Sequence, residues 1–253
     1  MIFLYLLGCT NQKPATDTSV SPVFSTDPLY CLPEENTQSR ILYGHVGDIN
    51  TNGEELPTGV EAVAVVDALV WSCINDTSVY SDAEGKFQLS VPDQMFVALH
   101  VHKDGYIPAR WVVSPWYDGE EDVVGKIYSN TIITHSFATE IFAGIDQVYD
   151  ASKTLVVVDV INPTIHSEQS GSDLLGAEVT LSSPISMNLV MDDDSRLLVE
   201  GNTLSRNSDV IFLNVEPGPF TITVNTPDSS VCAHPEHLYA RPGELLHVSM
   251  YCQ

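Results

Sequence analysis

The chain has 253 residues, 43% of them apolar, which is enough to bury one large core or two ordinary ones. Its 34 acidic residues against 10 lysines and arginines give a formal net charge of −24. Such a surface repels nucleic acid and anionic lipid headgroups, so the composition argues against nucleic-acid binding and against membrane docking through basic residues.

The first nine residues, MIFLYLLGC, are apolar and too few to span a bilayer. They end in a Leu-Leu-Gly-Cys run that resembles a bacterial lipobox, although no basic residue precedes it. We predict a lipoprotein signal over 1–8, a lipid anchor on Cys9, and a tether rich in Thr, Ser and Pro that runs to residue 30. The alternative is a buried N-terminal strand with a chance cysteine. The prediction places the chain in a bacterial cell envelope, lipid-anchored in the outer membrane.

The segment DINTNGEE, which begins at Asp48, matches the first positions of an EF-hand calcium loop. Hard cations favour oxygen ligands at alternate positions, so the predicted calcium ligands are Asp48, Asn50, Asn52 and Glu54. Gly59 stands where the loop would need a bidentate glutamate. The alternative is a polar turn between the first two strands. A run of three aspartates at 192–194 is a second, weaker cation candidate.

The segment SDAEGKFQLSVPD, residues 81–93, places an acidic turn before an alternating strand. Asp82 can bond to its own backbone and Gly85 can adopt a positive φ, so we interpret the two acids as a turn and not as a metal site. Apolar residues at alternate positions of the following strand should then point inward. In the next strand, His100 and His102 share a face that we predict to be exposed to solvent.

Three aromatic residues, Trp111, Trp116 and Tyr117, fall in a turn-rich region around Pro115. Aromatic side chains on loops can stack on sugar rings or anchor a protein partner. We therefore predict a candidate binding site for a surface glycan or a protein here, with core packing as the alternative.

Residues 136–148 carry apolar side chains at helical spacing and begin with Ser136, which can act as the N-cap. From residue 153 the period-two pattern resumes, and its order of segments loosely repeats that of the first half. The sequence thus predicts an all-β chain of two antiparallel sandwiches, 31–117 and 153–253, with a connector over 118–152 that contains the helix.

The motifs Gly44-x-Val46, LPTGVEAVAV, SDAEGKFQLSVPD and HVHKDGY occur in this order over about residues 41–110. Together they resemble the carboxypeptidase regulatory-like domain, a small transthyretin-like β-sandwich. The second half is similar more weakly, through VEPGPFTITV and PGELLHVSMYC. The resemblance implies two non-catalytic modules of an exported protein, with a structural or binding role.

Four cysteines remain besides Cys9, an even number that fits an exported, oxidising compartment. Four cysteines allow three pairings. We predict one bridge in each half, Cys31 with Cys73 and Cys232 with Cys252. The alternative, a zinc site in CAHPEH at 232–237, has no second group of ligands with a comparable spacing.

Three functions follow as hypotheses. The first is a non-catalytic envelope lipoprotein with structural or binding β-sandwich modules, without a cofactor unless calcium binds. The second is a carbohydrate-binding module that uses the loop aromatics, which a solvent-exposed row of aromatic rings would favour. The third is an enzyme whose site is assembled from scattered Asp and His, which a cleft with three or more convergent His and carboxylate groups would favour.

Overall fold

The structure is a computed structural model, and it describes residues 31, 38–48, 63–72, 77–115, 128–162, 174–191, 198–204, 209–236 and 238–253. These residues form eighteen strands and one helix. The elements are Ser39–Asp48 (β1), Val63–Ala64 (β2), Leu69–Ser72 (β3), Ser78–Tyr80 (β4), Lys86–Pro92 (β5), Val97–His102 (β6), Ala109–Val113 (β7), Tyr128–Ile132 (β8), His135–Gly144 (α1), Thr154–Ile161 (β9), Glu178–Leu181 (β10), Met187–Met191 (β11), Leu198–Glu200 (β12), Asp209–Val215 (β13), Gly218–Phe220 (β14), Ile222–Asn225 (β15), Cys232–Ala233 (β16), Leu238–Ala240 (β17) and Leu245–Cys252 (β18).

A ten-stranded sheet forms the middle of the molecule, in the order β12-β11-β13-β9-β18-β7-β6-β3-β4, with β16 also paired to β18. Strand β18 lies between the halves and pairs in parallel with both neighbours, Leu245 beside Ala109 of β7 and beside Leu155 of β9. All eight residues of β18 are buried. A strand buried on both faces needs partners on both edges to satisfy its backbone groups, and β18 finds one in each half of the chain.

Two hydrophobic cores lie on the two faces of this sheet. The helix-side core includes Ala138 and Phe142 of α1 and is drawn mostly from the first half, whereas the opposite core is drawn mostly from the second half. Each core also takes residues from the other half; the helix-side core includes Leu155, Leu189, Leu213 and Leu245, and the opposite core includes Phe96, Ala98 and Val112.

The all-β class with a connecting helix is confirmed, but the strands of the two halves are not separated. The sequence predicted two sandwiches, each with its own layers, whereas the described strands of both halves share the middle sheet through β18. The sheet is also mixed, since β18 pairs in parallel where antiparallel pairing was expected. The period-two pattern predicted the inward side chains of strands such as β5, but it carried no information about which strands are neighbours.

A second sheet covers the helix-side core. It has the order β2-β1-β5, with β8 added to β1 in parallel. As predicted, Phe87, Leu89 and Val91 of β5 point inward and are buried. Gly44 of β1 lies directly across from Phe87, and a Cβ at Gly44 would approach the Phe87 ring to 2.1 Å. Glycine is therefore required at this position because the aromatic ring occupies the space above it.

The turn before β5 has the predicted structure. The Asp82 carboxylate accepts hydrogen bonds from the backbone N–H groups of Glu84 and Lys86, at 3.0 and 2.8 Å, and Gly85 has a φ of 75°. The Asp82 carboxylate therefore holds the chain reversal through backbone hydrogen bonds, as predicted for a turn.

The helix was predicted over 136–148 and runs over His135–Gly144. Its N-cap is Thr134, whose hydroxyl accepts a hydrogen bond from the Phe137 N–H at 3.2 Å, and not Ser136 as expected. Phe142 packs inward as the spacing predicted, but Val148 lies beyond the helix and is 80% exposed. The apolar pattern therefore located the packing face and overestimated the length by one turn.

Candidate functional site

The predicted calcium loop is only partly described. Asp48 ends β1, and its carboxylate accepts a hydrogen bond of 2.7 Å from the Tyr106 hydroxyl. Burial, and then the bond to Asp48, raise the pKa of Tyr106 to about 12. The other three proposed ligands, Asn50, Asn52 and Glu54, lie outside the described residues, as do the aspartates at 192–194. Calcium binding therefore stays a prediction.

The predicted aromatic binding site is wrong at Trp111. This residue lies on β7, is fully buried in the helix-side core, and packs against Phe87 with ring centroids 6.4 Å apart. The strand continues past the point where the sequence suggested a loop, and the second sheet then covers the indole. Trp116 and Tyr117 lie outside the described residues, so a binding role for these two stays a prediction.

The expectation that His100 faces solvent is also wrong. His100 is 3% exposed and stacks on Trp71, with ring centroids 5.1 Å apart and planes at 15°. Burial, followed by the charges of Arg110 and Arg241, lowers its pKa to about 3, so the imidazole is neutral at physiological pH. His102, on the same face, is partly exposed, and its Nε2 lies 3.4 Å from Oδ1 of Asp104.

A buried ion pair lies beside His100. The Arg110 guanidinium donates to the Glu244 carboxylate at 2.6 Å and to the backbone carbonyl of Tyr239. Arg110 and Glu244 are 3% and 5% exposed. Burial raises the pKa of Glu244, while Arg110 and Arg241 act to lower it. Because Arg110 belongs to β7 and Glu244 precedes β18, the pair joins the two halves of the chain.

A second cluster, which the sequence analysis did not identify, contains Asp159, Asp209 and His247. One possible ligand atom from each lies within 4.8 Å of the others, and the distance from His247 Nε2 to Asp209 Oδ1 is 4.0 Å. The three residues come from neighbouring strands, β13, β9 and β18, and Asp209 lies directly across from Asp159. His247 is buried, and the two aspartates are partly exposed.

Ser249 belongs beside this cluster. Its backbone pairs with that of Asp159, and it lies two residues after His247 on β18, so alternation places both side chains on one face. The Ser249 hydroxyl is buried, and it has no hydrogen-bond partner among the described residues. A signal for this cluster was present in the sequence: single polar residues interrupt otherwise apolar strands in TLVVVDVI and LLHVSMYC. Their pairing depends on strand order, which the pattern does not contain.

The predicted bridge between Cys232 and Cys252 is present and joins β16 to β18. The zinc alternative for this segment is thereby removed, because Cys232 is no longer a free thiolate ligand. Cys31 is also disulfide-bonded, whereas Cys9 and Cys73 lie outside the described residues. The part of the chain that the structure describes includes no helix long and apolar enough to cross a membrane.

Comparison with known proteins does not assign the chain to a family. No protein-family model and no curated protein sequence matches the chain, so the resemblance to the carboxypeptidase regulatory-like domain stays a prediction. Among solved structures, the chain is similar to the Bacillus anthracis TIE protein, with 11% sequence identity and a TM-score of 0.26. The match covers 85% of this chain and 34% of that chain. It is also similar to the shaft pilin SpaA of Lactobacillus rhamnosus GG (9% identity, 85% and 98% covered, TM-score 0.26). A third is GBS52, the minor pilin of Streptococcus agalactiae (8% identity, 84% and 94% covered, TM-score 0.26).

The chain spans about a third of the length of the TIE protein. At these TM-scores the likeness carries no argument about function, and the fold described above is read from the strands of this chain alone.

Proposed function

We propose that the chain is a non-catalytic β module of an exported cell-envelope protein, which acts as a structural or binding element. The observation that carries this proposal is the disulfide between Cys232 and Cys252, together with the disulfide-bonded state of Cys31. Disulfides form and persist in oxidising compartments and are rare in reducing ones. The mixed sheet supports a mechanical or scaffolding role, since backbone pairing through β18 joins strands from both halves of the chain.

An enzyme is the alternative that the convergence of Asp159, Asp209 and His247 favours. We prefer the non-catalytic role because His247 is only 8% exposed, and because Asp159 belongs to β9, a strand that is paired on both edges. A catalytic metal site keeps a coordination position open to water and substrate, and a cluster lying along a sheet face offers less access than a cleft does.

Removing the Cys232–Cys252 bridge is expected to lower the free energy of unfolding by about 3 kcal/mol, as the loss of a cross-link over a loop of this length implies. The two cysteines are 20 positions apart. The variant with Cys232→Ala and Cys252→Ala should be compared with the wild type by urea unfolding without reductant. Equal unfolding midpoints for the two proteins would contradict a stabilising bridge and weaken the argument for an oxidising compartment.

We further propose that a lipid on Cys9 anchors the module in the bacterial envelope, in the outer membrane, which rests on the Leu-Leu-Gly-Cys run and on the tether that follows it. In a bacterial host, the full chain is expected in the membrane fraction, and the Cys9→Ser variant in the soluble fraction. Fractionation by ultracentrifugation followed by immunoblotting measures this. If the variant sediments with the membrane as the wild type does, the anchor is not at Cys9.

A further inference from the structure

We propose that Asp159, Asp209 and His247 bind one divalent transition-metal ion, of the class that includes Zn²⁺, with the Ser249 hydroxyl facing the same site. The proposal goes beyond the structural role above and does not depend on it. The ion would join β13, β9 and β18, three consecutive strands of the shared sheet.

The backbone places these groups together without any loop. Asp209 and Asp159 are cross-strand partners, and Asp159 and Ser249 are partners on the other edge of β9. His247 shares the face of Ser249 because the two residues are two positions apart on one strand. Each residue therefore has a position set by backbone hydrogen bonds, as in a site built on strands and not on loops.

The distances suit one ion. Zn²⁺ binds histidine nitrogen and carboxylate oxygen at about 2.0–2.2 Å, so two ligands of one ion lie at most about 4.3 Å apart. The Nε2 of His247 and Oδ1 of Asp209 are 4.0 Å apart, and the ligand atoms of all three residues lie within 4.8 Å of one another. The ligand atoms that lie farther apart than this limit would have to move closer together when the ion binds, through rotation of the aspartate side chains.

The electrostatics favour a cation at this point. Two carboxylates directly opposite each other on neighbouring strands repel, and burial strengthens that repulsion. The Nε2 of His247 lies 4.0 Å from Oδ1 of Asp209, which is too long for a hydrogen bond between these two atoms. The buried Ser249 hydroxyl, without a partner among the described residues, is a further polar group that an ion or its bound water would satisfy.

The ligand types select the class of ion. Imidazole suits Zn²⁺ and its neighbours in the first transition row, whereas Ca²⁺ takes six to eight oxygen ligands. One nitrogen and two carboxylates on the protein leave too few oxygens for calcium but leave a four-coordinate ion only one position short. The site is separate from the calcium loop predicted at Asp48, which lies on β1 in the other sheet.

The test uses the full chain with its disulfides intact, dialysed against a chelator and then titrated with Zn²⁺ in a calorimeter. We expect one saturable Zn²⁺ per chain, with a rise in Tm of about 5–10 °C at a hundredfold excess of free ion over Kd. Asp209→Asn and His247→Gln should each weaken this binding by at least about tenfold, and Ca²⁺ at the same concentration should not compete.

The matched control is Asp104→Asn. This variant removes a carboxylate that lies 3.4 Å from His102, a histidine outside the cluster, and it should leave Zn²⁺ binding unchanged. Asp209 is one-third exposed at its side chain, so the Asp209→Asn variant is expected to fold and decides the question if His247→Gln does not. Zn²⁺ binding of equal affinity and stoichiometry in the wild type and in Asp209→Asn would overturn the proposal and assign the ion to other acidic groups of the surface.

Discussion

The Arg110→Met variant is expected to lose about 3–5 kcal/mol of the free energy of unfolding, because it leaves the Glu244 carboxylate buried without its main partner. Arg110 donates to Glu244 at 2.6 Å, and both side chains are about 95% shielded from solvent. The guanidinium also donates to the Tyr239 carbonyl, which loses its donor in the variant. Urea unfolding at pH 7 measures the loss. A loss below about 1 kcal/mol would show that the pair does not contribute as a buried ion pair.

The loss of free energy of unfolding in Arg110→Met should depend on pH, because Glu244 titrates differently in the folded and unfolded states. Its pKa in the folded protein is already raised above the ordinary 4.5 by burial, and removing Arg110 raises it further. A carboxyl with a raised pKa is protonated in both states below pH 4.5, and the folded state loses stability as the pH rises through the folded pKa. The difference between wild type and Arg110→Met should therefore be larger at pH 8 than at pH 5.

Two further variants serve as controls for this prediction. Replacing the whole pair, Arg110→Met with Glu244→Leu, should regain most of the loss, because an apolar pair leaves no unpaired buried charge. Lys153→Met removes a partner from the ion pair with Glu216, whose side chains are 25% and 48% exposed, and should change the free energy of unfolding by less than about 1 kcal/mol. A double variant no more stable than Arg110→Met would indicate that volume and not charge determines the effect.

Trp111→Ala is expected to cost about 3–5 kcal/mol, the usual range for removing a fully buried tryptophan. The indole lies in the helix-side core, shielded from solvent on β7 and packed against Phe87. Urea unfolding followed by circular dichroism measures this loss, because the signal does not depend on the tryptophan that is removed.

Tyr80→Ala is the matched control for Trp111→Ala. Tyr80 lies on β4 at the edge of the same sheet and is 66% exposed, so its removal should change the free energy of unfolding by no more than about 0.5 kcal/mol. If Trp111→Ala instead unfolds at the wild-type midpoint and loses binding to a glycan, the assignment of Trp111 to the core is wrong and the original aromatic site regains support.

Local features of the fold were predicted well from the sequence because short-range physics determines them. The turn at Asp82 follows from a side chain that bonds to its own backbone and a glycine with positive φ. The inward alternation of β5 and the packing of Phe142 follow from periods of two and 3.6 residues. The bridge between Cys232 and Cys252 was favoured by their shared position in the second half.

Strand order could not be predicted in the same way. The sequence LLHVSMYC contains a histidine and a serine, so it does not by itself indicate a strand that is buried on both faces. Its burial on both faces becomes known only from the structure. Nothing in its pattern states that β7 and β9 are the neighbours. The same gap explains the error at His100, because this residue is buried between Trp71 of β3 and Arg110 of β7, and its own strand pattern does not specify these neighbours.

The cluster around His247 depends on two strand pairings that the sequence pattern does not contain. Asp159 and Asp209 meet only through the pairing of β9 with β13, and His247 reaches them only through the pairing of β9 with β18. Each polar residue alone resembles a solvated or satisfied position in its strand. Their chemistry becomes visible when the pairings are known.

The position of β18 between β7 and β9 also determines when the molecule can reach its native state. During synthesis, β7 leaves the ribosome about 130 residues before β18, and β9 about 90 residues before it. Until residues 245–252 arrive, one edge of β7 and one edge of β9 have no partner, so neither half holds its final arrangement by itself. Pairing over such separations slows folding, and an unfinished edge invites association with other chains. A chaperone that shields these two edges until β18 is inserted would protect a chain of this design from such association.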